Sequence, residues 1–77
     1  MSNLILSYYG QKDLIFETKI KDLVEKYHGE VVSPFKLNGA GFEIEIFTKA
    51  EKNLKRDIEL YANFCKIQIS FGGSYSI

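Results

Sequence analysis

Phe42-Glu43-Ile44-Glu45-Ile46-Phe47 alternates apolar and acidic side chains with a period of two. A helix would scatter these groups around its circumference. A strand sorts them onto two faces, one dry and one wet. The chain must therefore build a sheet with one covered side, and other elements must supply the cover for Phe42, Ile44 and Ile46.

The rest of the sequence provides them. Leu4-Ile5-Leu6-Ser7-Tyr8-Tyr9 is a short apolar run rich in strand formers, ended by Gly10. From Gln11 to His28 the apolar residues Phe16, Ile20, Leu23, Val24 and Tyr27 recur at helical spacing and form one stripe. Asp13 suits the N-terminal end of that helix, and Gly29 is expected to close it in the left-handed conformation. Glu30 to Leu37 reads as a second strand. Pro34 removes a ladder donor there, which predicts an edge position or a bulge. Asn38-Gly39 predicts a tight hairpin into the alternating strand.

Thr48-Lys49-Ala50-Glu51 matches a capping box, so a second helix is expected from Lys49 to Ala62, ended by Asn63. Its buried stripe is Ala50, Leu54, Ile58, Tyr61 and Ala62. Phe64 to Phe71 reads as the fourth strand, with Cys65, Ile67, Ile69 and Phe71 on one face, and residues 72–77 as a loose tail. The order β-α-β-β-α-β predicts a single α+β domain of ferredoxin-like topology. Its four-stranded antiparallel sheet takes the order 4-1-3-2, with both helices on one face.

Composition narrows the function classes. Ten basic and ten acidic residues cancel in 77. A dedicated nucleic-acid binder ordinarily carries a basic excess, because phosphate contacts supply most of its affinity. Cys65 is the single cysteine, so no disulfide framework exists within the chain. No apolar run approaches a membrane span, and Met1-Ser2-Asn3 leads into no basic targeting region. The expectation is a cytoplasmic protein, of a cell or of an infected host.

Chemistry finds little purchase. His28 is the single histidine, and it reads as a helix C-terminal residue. Cys65 reads as a buried thiol with no base in reach. Glu43 and Glu45 share one strand face, but two carboxylates make a poor cation site. No catalytic residue, cofactor or metal is expected. Gly39-Ala40-Gly41-Phe42 invites comparison with the RNA-binding strand of RRM domains, which share this topology. That motif needs a basic residue where Asn38 stands and an aromatic where Ala40 stands. Facing Phe42 toward RNA would also drive Glu43 and Glu45 into the core. Acylphosphatases share the topology too, and use an arginine near the first loop. Arg56, the single arginine, falls on the outer side of helix two.

What remains is surface. The uncovered sheet face is expected to show Ile5, Ser7 and Tyr9, then Glu43, Glu45 and Phe47, then Lys66, Gln68 and Ser70, joined by Val32, Pro34 and Lys36. Mixed aromatic, aliphatic and acidic groups of this kind mark partner surfaces. The expected function is thus a small non-enzymatic regulatory domain that occupies a protein partner through Ile5, Tyr9, Glu43, Glu45 and Phe47. In its sharpest form it is a phage-type inhibitor of a host nuclease or CRISPR complex, with the glutamates mimicking phosphates. One alternative is a nucleic-acid module using Lys49, Lys52, Lys55 and Arg56 of helix two. Another is a small-molecule-binding homodimer resembling ACT domains in topology alone. A homodimer through an open edge strand is also expected to be accessible.

Overall fold

The computed structural model describes the backbone of residues 2–75 and the side chains of 3–72. The elements run β1 (Ser2–Tyr9), α1 (Leu14–Lys26), β2 (Glu30–Asn38), β3 (Gly41–Phe47), α2 (Glu51–Cys65) and β4 (Ile69–Tyr75). They form an antiparallel sheet of order β2-β3-β1-β4, the expected 4-1-3-2 seen from its other edge.

Alternation decides what is inside. Leu4, Leu6 and Tyr8 of β1 and Ile44 and Ile46 of β3 are buried in one cluster. Phe16, Ile20, Leu23 and Val24 of α1 complete it from above, with Leu54, Ile58 and Ala62 of α2. Both helices therefore cover the same sheet face, as the two apolar stripes required. At the centre Tyr8 packs between Phe16, at 5.1 Å between ring centroids, and Phe42, at 5.2 Å.

The first crossover starts as expected and finishes differently. Asp13 caps α1, its Oδ1 accepting from Phe16 N at 2.9 Å. The helix begins at Leu14, three residues later than its periodicity implied, and ends at Lys26. His28, not Gly29, takes the left-handed conformation, with φ of 55°. Gly29 answers to space instead. A Cβ there would sit 3.0 Å from the Phe47 carbonyl oxygen and 3.1 Å from Val24 Cγ1.

β2 lies at an edge and its register against β3 slips between Val31 and Ser33 and again between Ser33 and Lys36, so Pro34 has both the edge and the bulge it needs. The hairpin pairs Asn38 with Gly41, which puts Gly39 and Ala40 at the tip and the positive φ, 63°, on Gly39.

α2 departs further from expectation. Thr48 Oγ1 accepts from the Ala50 amide at 3.1 Å, so the hydroxyl closes a local turn and the capping box does not form. The helix starts at Glu51 and runs past Asn63 to Cys65. Lys66 ends it in the left-handed conformation, with φ of 58°, its amide bonded back to Asn63. Phe64 and Cys65 are thus helical rather than the start of a strand. β4 begins at Ile69 and continues through Gly72 and Gly73 to Tyr75, where a loose tail was expected; residues 76–77 lie outside the described residues.

Candidate protein-binding surfaces

The open sheet face holds the expected residues of β1 and β3 side by side. Ile5 pairs with Glu45 and Ser7 with Glu43. Phe47 lies opposite Glu30, and Lys36 opposite Glu43. Ser7 pairs with Ser70 on β4. Val32 and Pro34 fall within the irregular stretch of β2. Lys66 is not part of the strand, because it caps α2.

This face is better ordered by hydrogen bonds than the sequence implied. Asn3 Nδ2 donates to Glu45 Oε2 at 2.6 Å, and the Asn38 amide donates to Glu43. Tyr9 lies across Gly41, and its hydroxyl shares a hydrogen bond of 2.9 Å with Ser70 Oγ. Ile5, Glu43, Glu45 and Phe47 are all half-buried. Each glutamate therefore already accepts from a side-chain amide, which dilutes any likeness to a row of phosphates.

The basic residues of α2 are only partly gathered. Lys52, Lys55 and Arg56 border a shallow depression together with Glu59 and Asn63. Lys55 Nζ leans over the Phe71 ring, 5.3 Å from its centroid, and Arg56 Nε stands 3.5 Å from Asp57 Oδ1. Asp57 also accepts from Tyr27 Oη at 2.6 Å and from Lys26 Nζ at 3.2 Å. The Tyr27 hydroxyl first, and Lys26 after it, hold the Asp57 carboxyl below its ordinary value, and Asp57 in turn raises Lys26.

The two most exposed large apolar side chains, Phe64 and Ile15, lie on the helical layer; Leu37 at the end of β2 follows at 71%. Phe64 is 84% exposed, Ile15 78%, Leu14 66% and Leu60 62%. Leu14 and Ile15 of α1 and Tyr61 of α2 line one depression of about 400 Å³ with Thr18, Lys19 and Asp22. Tyr61 stacks on Phe16 at 5.7 Å, which fixes it at the joint between the helices. Phe64 follows Tyr61 by three residues, one turn further along α2, whereas Leu60 borders the depression lined by Lys52, Lys55 and Arg56. Apolar groups thus gather at the α1 start, where Leu14 and Ile15 meet Tyr61, and Phe64 is exposed near the α2 end. Sequence reading missed this because Phe64 was assigned to a strand and because Leu14 and Ile15 fall outside the α1 stripe.

A second feature lies beneath the first turn of α1. Glu17 is only 5% exposed, the one charged residue buried among those described. The Tyr8 hydroxyl donates to Glu17 Oε2, and Lys12 Nζ donates to the same oxygen at 3.0 Å. The Asp13 amide donates to Tyr8 Oη at 3.1 Å. Burial pushes the Tyr8 phenol up to about 12; the Asp13 amide opposes the rise and the Glu17 carboxylate adds to it.

Among the described residues, no three His, Cys, Asp or Glu side chains gather as a metal site, and no helix is long and apolar enough to cross a membrane. Cys65 stands half-buried at the end of α2, not on a strand. The neighbouring Cys65 thiol first, and burial after it, raise the Tyr61 hydroxyl pKa above its ordinary value.

The chain matches no known family profile and no curated protein. Among solved structures it is similar to a de novo designed protein, Foldit4, with a TM-score of 0.62 and 11% identity over the whole of both chains. At that identity the likeness concerns the fold alone.

Proposed function

We propose that this chain is a binding domain that acts by occupying a protein partner, and that the partner seats on the helical layer at Ile15, Tyr61 and Phe64. The observation that carries this reading is the exposure of Leu14 and Ile15 on a depression that Tyr61 also lines, with Phe64 exposed one turn further along α2. Isolated exposed apolar residues are ordinary, but large ones gathered around a concavity mark contact surfaces. An aromatic at the centre of such a patch is the residue type that anchors interfaces. The acidic pair on the sheet is a weaker candidate, since Glu43 and Glu45 already accept from Asn38 and Asn3.

The test is a comparison of capture by the unaltered chain and by Ile15→Asp with Phe64→Asp, from lysate of the native host with and without nuclease treatment. Both substituted positions are exposed, so the far-ultraviolet circular dichroism should not change. A stoichiometric protein held by the first and lost by the second supports the reading. Retention by the variant, with loss after Glu43→Lys, Glu45→Lys and Tyr9→Ala, moves the partner to the sheet face. Loss on nuclease treatment moves it to Lys52 and Arg56 and overturns the proposal.

A further inference from the structure

We propose that β4 pairs with β4 of a second copy of this chain, antiparallel about a two-fold axis at Gly72, so that two sheets join into one. This interface is separate from the helical patch and does not depend on it. The two sheet edges differ. β2 carries Pro34, two register shifts and the charged Glu30 and Lys36, all devices that prevent strand addition. β4 carries none of them. Its register against β1 runs unbroken from Ser2↔Tyr75 to Tyr8↔Ile69, and it contains neither proline nor a charged residue.

Backbone geometry says what that edge offers. Tyr9 N donates to Gln68 O at 3.1 Å. In an antiparallel ladder, alternate residues turn their amide and carbonyl toward the same neighbour. Gln68, Ser70, Gly72 and Ser74 therefore face β1, and Ile69, Phe71, Gly73 and Tyr75 direct theirs outward. A two-fold axis at Gly72 sets Phe71 opposite Gly73 of the other copy and Ile69 opposite Tyr75, so every outward group finds a partner.

A second copy fits this edge for two reasons. A two-fold seam brings like residues close together, so any charge on it would meet its own kind. β4 has none. The seam also sets the bulky Phe71 against a glycine. The edge continues into a groove of about 480 Å³ between α2 and β4, bordered by Glu59, Asn63 and Phe71, into which the partner strand's flank can settle.

Gly72 supplies the test. A side chain added there meets nothing within 4 Å in one copy, so the monomer fold tolerates it. In the proposed dimer the two positions face each other. Sedimentation velocity over a concentration series should show a dimer for the unaltered chain and for Gly72→Ala. Gly72→Lys should be monomeric with unchanged circular dichroism. An equimolar mixture of Gly72→Lys and Gly72→Glu should recover the dimer. In the unaltered chain the outward amides of Phe71 and Gly73 should exchange more slowly as concentration rises. A chain that stays monomeric throughout, or a dimer that Gly72→Lys leaves intact, overturns the proposal. So does a dimer abolished by Ile15→Asp alone, which would belong to the helical patch.

Discussion

Tyr8 and Glu17 meet under the first turn of α1, a phenol from the central strand donating to a carboxylate that the helix carries into the core. Lys12 reaches the same oxygen from the loop between them. The arrangement joins β1 to α1 by a polar contact at the centre of an otherwise apolar cluster. A buried carboxylate is costly unless its lone pairs are satisfied, so each partner matters more than an ordinary hydrogen bond.

Tyr8→Phe keeps the ring packing against Phe16 and Phe42 and deletes the donor. It should destabilise the domain by about 1–3 kcal/mol, the usual cost of leaving a buried polar group short of a partner. Tyr8→Phe combined with Glu17→Leu should recover a good part of that loss, because it removes the stranded carboxylate as well. Urea unfolding of the two single variants and the double variant measures the coupling. Additive losses would show that the two groups do not act as a pair.

The same contact sets a pH dependence on the basic side. The Tyr8 hydroxyl has its folded pKa raised from 10.0 to about 12, so the folded state favours the protonated phenol. That contribution is complete below pH 10 and is lost as pH rises from 10 toward 12. Other tyrosines and lysines titrate in this range, so the measure is the difference between the unaltered chain and Tyr8→Phe. The unaltered chain should lose stability more steeply over that window, and the two unfolding curves should converge at its upper end.

On the acid side, Asp57 has its carboxyl held down by Tyr27 and Lys26. A depressed folded pKa gives stability above the unfolded value of 3.8 that disappears as pH falls below it. Tyr27→Phe removes the largest cause. Its destabilisation should therefore be plain at neutral pH and shrink in acid, read by thermal unfolding as a narrowing gap in Tm.

Much of this fold was legible because each buried stripe stated its own period. The alternation at Phe42–Phe47 named both faces of β3, and the spacing from Phe16 to Val24 named the inward side of α1. What failed was punctuation. Thr48 had a cap's sequence, but its hydroxyl is taken by the amide two residues on. Phe64 and Cys65 look like strand residues, yet helical hydrogen bonding carries through them and stops at Lys66, a residue with no turn signature. Gly72 and Gly73 looked loose because glycine weakens strands, but pairing with Ile5 and Leu4 holds them in β4. Glu17 was unreadable for a different reason. A glutamate on a helix is ordinarily solvated, and its burial depends on Tyr8 and Lys12 arriving from outside the helix.

β3 carries the residue whose loss the core should feel most directly. Ile44 is fully buried in the middle of β3. Ile44→Ala should cost about 2–5 kcal/mol, from lost transfer energy and the cavity left behind. For a domain of this size that is a large share of the total stability, so the variant should be partly unfolded near body temperature. Phe64→Ala removes more atoms but from water, and should leave Tm nearly unchanged.

Two glycines give the sharpest contrast between space and composition. A Cβ at Gly41 would fall 2.5 Å from the Tyr8 carbonyl oxygen and 2.8 Å from Tyr9 Cδ1. The first of these is backbone and cannot swing aside, so β1 and β3 would have to separate where Tyr9 pairs with Gly41. Gly41→Ala should therefore destabilise the domain by about 1–3 kcal/mol or more, as overpacked sites do, and should also disturb the Tyr9–Ser70 hydrogen bond across the sheet. Gly72→Ala adds the same methyl group to the neighbouring side of the same sheet and meets nothing. There the change should be neutral or slightly stabilising, since alanine gives up less backbone freedom on folding than glycine. Chemical unfolding of the two variants side by side checks both expectations. Equal losses at the two positions would mean that the close approach of Tyr8 and Tyr9 does not set the cost at Gly41.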